Sequence, residues 1–146
     1  MRLAWYESRR RGGFSLIELL LVLVILATLA ALVVTKFAGR SKQAKVTAAE
    51  TEVSRLETAL DAFEIDVGRY PTSQEGLRAL YDQPGNAESW KGPYLKRGIP
   101  MDPWRNEYIY EYPGRYNQDG FDLHSPGPDG QDGTDDDIKN WSEKDV

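Results

Sequence analysis

Two places in this sequence gather groups that could do chemistry. One is the run Pro126-Gly127-Pro128-Asp129-Gly130-Gln131-Asp132-Gly133-Thr134-Asp135-Asp136-Asp137, which holds five aspartates within nine positions. Calcium takes six to eight oxygens from carboxylates and carbonyls, and glycines let a short loop curl around such an ion. The run lacks the D-x-D-x-D-G order and closing glutamate of an EF-hand, so composition alone leaves two readings, a calcium loop or a solvated acidic loop. The other place is the junction Arg9-Arg10-Arg11-Gly12-Gly13-Phe14-Ser15-Leu16-Ile17-Glu18, after which Leu19 to Val34 is apolar except for Thr28. A carboxylate at the mouth of such a segment is costly unless something pairs with it.

Catalysis finds little material. There is one histidine, His124, and no cysteine. The only nucleophile beside His124 is Ser125, and neighbours on a strand point to opposite faces. We expect no enzyme here, and we place His124 on a polar surface. Without cysteine no disulfide can staple the domain, so a metal or a partner subunit has to serve instead.

The elements that hold these groups can be read from periodicity. Leu16 to Val34 is long enough, at about 1.5 Å per residue, to cross roughly 28 Å of hydrocarbon. Val46, Ala49, Val53, Leu56, Leu60, Phe63 and Val67 continue at steps of three and four. One helix is therefore predicted from about Phe14 to about Asp66, apolar all round at first, amphipathic afterwards and ended by Gly68. Thr72 and Glu75 have capping-box spacing before a short helix predicted over 73–81. Residues 107–112 and 121–125 read as strands with turns between them. Trp90, Tyr94, Trp104, Tyr108, Tyr110 and Tyr112 are expected in the core or at subunit contacts, and Trp141 under the acidic loop.

Charge separates the ends. The chain carries a net −5, the first thirteen residues +3 and the remainder −8. From Met101 onward there are twelve acidic against four basic residues. This argues against nucleic acid as a partner and for a cation ligand or a solvated acidic face. The arginines before the apolar segment predict a cytoplasmic leader and an outward-facing bulk, although Lys36, Arg40, Lys42 and Lys45 follow the span. A secretory signal would have a shorter apolar core and a small-residue cut after it, whereas here the helical pattern runs straight on.

The junction resembles the leader of type IV pilins and pseudopilins. The later landmarks Gly68-Arg69-Tyr70-Pro71, Trp90-Lys91-Gly92-Pro93-Tyr94-Leu95, Asp102-Pro103-Trp104 and the acidic loop resemble the major pseudopilins of type II secretion systems, in order and over nearly the whole chain. The resemblance implies an α+β fold in which a long N-terminal helix packs on a small antiparallel sheet with a calcium-stabilised C-terminal loop. It divides the chain into a cleaved leader (1–13), a transmembrane and assembly segment (14–36) and a periplasmic domain (37–146). It implies cleavage between Gly13 and Phe14 by a prepilin peptidase, where glycine leaves the backbone open, and N-methylation of Phe14. Glu18 would pair with the N-terminal amine of a neighbouring subunit. One calcium ion would be held by the side chains of Asp129, Asp136 and Asp137 and the carbonyls of Pro126 and Pro128, with Asp132 and Asp135 as spare acids.

The implied role is non-enzymatic. The chain would be a single-pass inner-membrane precursor that polymerises with its own copies and minor pseudopilins, on an inner-membrane secretion platform, into a periplasmic pseudopilus exporting folded proteins. A true type IV pilin, or a membrane-tethered calcium- or glycan-binding module that never polymerises, are the rival readings. One departure stands out: the family has glycine and proline where this chain has Ala27 and Thr35, neither of which breaks a helix.

Overall fold

A computed structural model describes residues 13–142, the side chains of 32–38 excepted. The leader expected over 1–13 therefore lies outside the described residues save for Gly13, as does the side chain of Thr35. Two compact units divide at Arg40–Ser41. Helix α1 spans Leu16–Val67. No helix among the described residues is long and apolar enough to cross a membrane, and the span expected over 14–36 runs into the residues whose side chains are not described.

In the second unit the predicted stripe of α1 faces inward. Ala49, Val53, Leu56, Leu60 and Phe63 are buried, and Val46 and Val67 pack against them. Burying a leucine or phenylalanine side chain stabilises by about 1.5–3 kcal/mol, so this face anchors the domain. The helix stops where expected: Gly68 turns left-handed at φ 82° while its N–H donates to the Glu64 carbonyl at 2.7 Å.

Beyond the turn, Thr72 and Glu75 exchange the predicted pair of bonds. The Glu75 N–H donates to Thr72 Oγ1 (3.2 Å) and the Thr72 N–H to Glu75 Oε2 (2.8 Å). The element that follows differs from the helix expected over 73–81. It is a 3-10 helix, Gly76–Leu80, because Gly76 sits at φ 57° and interrupts right-handed geometry ahead of it. Glu75 is also gripped bidentately by Arg69, at 2.7 and 2.8 Å.

Three antiparallel strands form one sheet in the order β1 (Ile109–Glu111), β2 (Asp122–Ser125), β3 (Ile138–Lys139). The two predicted strands are present but shorter, and β3 is an addition. Ile109 pairs with His124, and Ser125 with Ile138. All four residues of the central strand are buried. Leu123 points into the core, whereas Asp122 lies on the other face and accepts the N–H groups of Arg115, Tyr116 and Asn117. His124 is consequently not a surface residue: it is 7% exposed, with its ring edge-on to Trp141.

The aromatics named from sequence fill the space between helix and sheet. Tyr94 stands edge-on to both Phe63 and Trp90, each at 5.8 Å. Tyr70 meets Phe121 at 4.9 Å. Trp90 Nε1 donates to the Ala79 carbonyl and the Tyr110 hydroxyl to that of Pro71, whereas the buried Tyr108 hydroxyl has no hydrogen-bond partner among the described residues.

Two outcomes follow. Phe63→Ala removes a fully buried ring and should lower the unfolding free energy of the domain by about 3–5 kcal/mol in denaturant titration. The Arg69 fork holds the Glu75 carboxyl at about 2, against an ordinary 4.5. Between those values the unfolded chain takes up a proton that the folded chain refuses, so stability falls as pH drops through that window. Glu75→Gln should remove that part of the acid limb in melting curves taken from pH 5 to pH 2.

Candidate functional sites: the exposed helix start and the acidic loop

At the N-terminal end, Phe14 is 77% exposed and open space surrounds Gly13. Ser15 opens α1: its hydroxyl accepts the N–H of Glu18 at 3.3 Å. Glu18 thereby sits in the first turn, where the helix dipole favours a carboxylate. Sequence reading singled out Glu18 but not the serine three residues earlier that fixes where the helix begins. Along the next turns every large apolar side chain is about half exposed or more, from Leu16 at 84% to Leu29 at 54%. The single polar interruption is satisfied within the helix, Thr28 donating to the Ile25 carbonyl at 2.8 Å.

The acidic loop connects β2 to β3, so the backbone pairing of Ser125 with Ile138 closes it at its base. Its two halves meet tightly at Gly127, which lies at φ 67° and where a Cβ would run into the Asp136 carbonyl oxygen. Only glycine accommodates both conditions.

Asp129, Asp136 and Asp137 are brought together around the Thr134 hydroxyl, which had no role in the sequence reading. It lies 2.6 Å from Asp136 Oδ1, 3.4 Å from Asp137 Oδ1 and 3.5 Å from Asp129 Oδ1. The other contacts are backbone N–H groups. Gln131 donates to Asp129 Oδ1 at 2.8 Å, Asp129 to Asp136 Oδ2 at 3.2 Å, and Gly133 to Asp137 Oδ2 at 2.9 Å. The Thr134 hydroxyl holds the Asp136 carboxyl below the usual carboxylate range. A hydroxyl has one proton to give, so beyond the backbone N–H groups and the attraction of Lys42 for Asp136 the three carboxylates are left to repel one another. An all-oxygen donor set with excess negative charge fits a hard divalent cation such as calcium.

Asp132 and Asp135 behave differently. Asp135 is exposed. Asp132 turns toward β2 and lies 2.7 Å from His124 Nε2, and a ligand atom of Asp137 lies within 4.8 Å of both. Together with Trp141 they line an open cavity of about 210 Å³. His124 Nδ1 is buried without a hydrogen-bond partner among the described residues. A proton there would have no acceptor among the described residues, whereas one on Nε2 faces Asp132 Oδ1. A metal at Nε2 would move that proton to the orphaned nitrogen, which argues against this group as a ligand set. Ser125 points to the opposite face and donates to Asp102 at 2.6 Å, so it and His124 form no nucleophile–base pair.

Comparison with known proteins agrees with both ends of the chain. Residues 36–141 match the family described as type II secretion system (T2SS), protein G, and residues 8–34 match the prokaryotic N-terminal methylation motif. The type II secretion system core protein G of Aeromonas hydrophila is 43% identical, covering 95% of this chain and 98% of that one. That of Pseudomonas aeruginosa is 45% identical over 92% and 98% respectively. The crystal structure of the major pseudopilin from the type 2 secretion system of enterohaemorrhagic Escherichia coli, 37% identical, superposes with a TM-score of 0.64 over 70% of this chain and 87% of that one. The fold is accordingly that of a pseudopilin, and the chain belongs to the protein G family of type II secretion systems.

Proposed function

We propose that this chain is a structural subunit made as a membrane-anchored precursor, cut between Gly13 and Phe14, methylated at Phe14 and polymerised into a periplasmic pseudopilus that drives folded proteins out of the cell. The observation that carries this reading is the bare apolar surface that runs from Phe14 into α1 as far as Leu29, with Glu18 in the helix's first turn. So large an apolar surface has to be covered, by lipid before assembly and by neighbouring helices after it. Away from water Glu18 needs a positive partner, and the amine freed at Phe14 of an adjacent copy is of the right charge. That pairing would also set the axial register between subunits. The family's relatives in secretion machinery support export as the purpose of the fibre.

In the folded domain we propose one calcium ion, held by the carboxylates of Asp129, Asp136 and Asp137 with the carbonyls of Pro126 and Pro128. The convergence on Thr134 supports the carboxylate part of this set. The ion would neutralise the crowded charge and tie the loop to itself, in a domain without cysteine.

The N-terminal peptide isolated from native membranes should have the mass of a chain beginning at methylated Phe14. A peptide beginning at Met1 would remove the assembly reading. Glu18→Ala should leave processing and insertion intact while abolishing fibres and secretion. The uncompensated amine costs about 3–5 kcal/mol per contact, which is a fall of ~100-fold or more in association. Calcium at a hundred times its dissociation constant should stabilise the wild-type domain by about 2.7 kcal/mol. Asp136→Ala should lose that gain in thermal melts, and a mutant stabilised as well as wild type would exclude Asp136 as a ligand.

A further inference from the structure

Asp102, in the loop before β1, is a carboxylate only 4% exposed, and two of the side chains bonded to it lead on to the base of the acidic loop. Its Oδ1 accepts the N–H groups of Trp104 (2.9 Å) and Asn106 (2.7 Å). Its Oδ2 accepts the Ser125 hydroxyl at 2.6 Å and Asn106 Nδ2 at 3.2 Å. The two side chains so anchored then seize one residue. Ser125 Oγ accepts the N–H of Gly127 at 3.1 Å, and Asn106 Nδ2 donates to the Gly127 carbonyl at 3.0 Å.

Both backbone polar groups of Gly127 are therefore pinned by groups hung on a single buried carboxylate. Peptide units are planar, and the one joining Pro126 to Gly127 is trans. Holding its N–H toward Ser125 turns the Pro126 carbonyl the opposite way and fixes it there. Holding the Gly127 carbonyl toward Asn106 fixes the plane that leads into Pro128.

We propose that Asp102, Ser125 and Asn106 are positioning residues for the calcium site: they set the direction of the Pro126 carbonyl and the entry to Pro128, without touching the ion. The inference rests on the calcium reading above. Metal sites depend on such outer partners, whose loss typically weakens binding by about 10–100-fold. Oxygen ligands supplied by backbone are especially exposed to this, because a carbonyl has no rotamer of its own to hold it.

The test is calcium titration by calorimetry on the full chain in detergent, with melting in EGTA recorded for each variant. Asn106→Ala and Ser125→Ala should each weaken calcium binding about 10-fold or more. Leu123→Ala serves as the control, since it destabilises the same strand through the core and leaves the network alone. Ser125→Ala or Asn106→Ala binding calcium like wild type would overturn the positioning role while leaving the calcium site in place. So would Leu123→Ala losing as much affinity for an equal drop in calcium-free melting temperature. A wild-type chain that takes no calcium would overturn both readings together. Should Asn106→Ala fail to fold in EGTA, the Ser125→Ala titration decides alone.

Discussion

The folded unit depends on one surface, the buried stripe of α1 from Ala49 to Phe63. Its sheet has strands of three, four and two residues, too little to stand by itself in water. The strands acquire a hydrophobic core only by lying against the helix. The end of the helix is tied down as well: Asp66 accepts from Lys91 Nζ and from the Tyr94 hydroxyl. The same element thus meets two different demands. Its later turns bury one face against protein, and its first turns expose apolar side chains all round, which suits a surrounding of lipid or other helices.

What was legible in the sequence follows from the range of the forces involved. The stripe and its stop at Gly68 were legible because helical periodicity and a left-handed glycine act over a few residues. The Thr72–Glu75 exchange was legible for the same reason. Strand β3 was not. Ile138–Lys139 is too short to alternate, follows three aspartates, and exists only because β2 offers a partner thirteen residues earlier in the register of Ser125 and Ile138. His124 was misplaced because alternation on β2 suggested a wet face. As the middle strand, β2 is covered by the core on one side and by the 114–117 turn, Asp132 and Trp141 on the other. The grouping of Asp129, Asp136 and Asp137 was implied by the resemblance to the major pseudopilins and not by spacing, and their approach to Thr134 depends on how the loop closes.

The acidic loop shows a division of labour between side chain and backbone. Its aspartates are half-buried or exposed and mutually repulsive, a poor basis for a fixed shape. Its entry at Gly127 is the opposite, its N–H held by the hydroxyl of a fully buried serine and its carbonyl by the Asn106 amide. A loop with a rigid base and a charged tip can order itself when the charge is neutralised, because little chain entropy remains to be lost there.

The sheet's two edges carry a consequence for a protein that lives beside many copies of itself. An exposed strand edge is a template for pairing with a neighbouring chain, and fibres formed that way do not come apart. Here β3 offers only two residues, and β1 runs within two positions into Pro113, which has no N–H to donate. Neither edge is long enough to recruit a strand from the next molecule. In the proposed fibre such chains would associate through their helices rather than through their sheets.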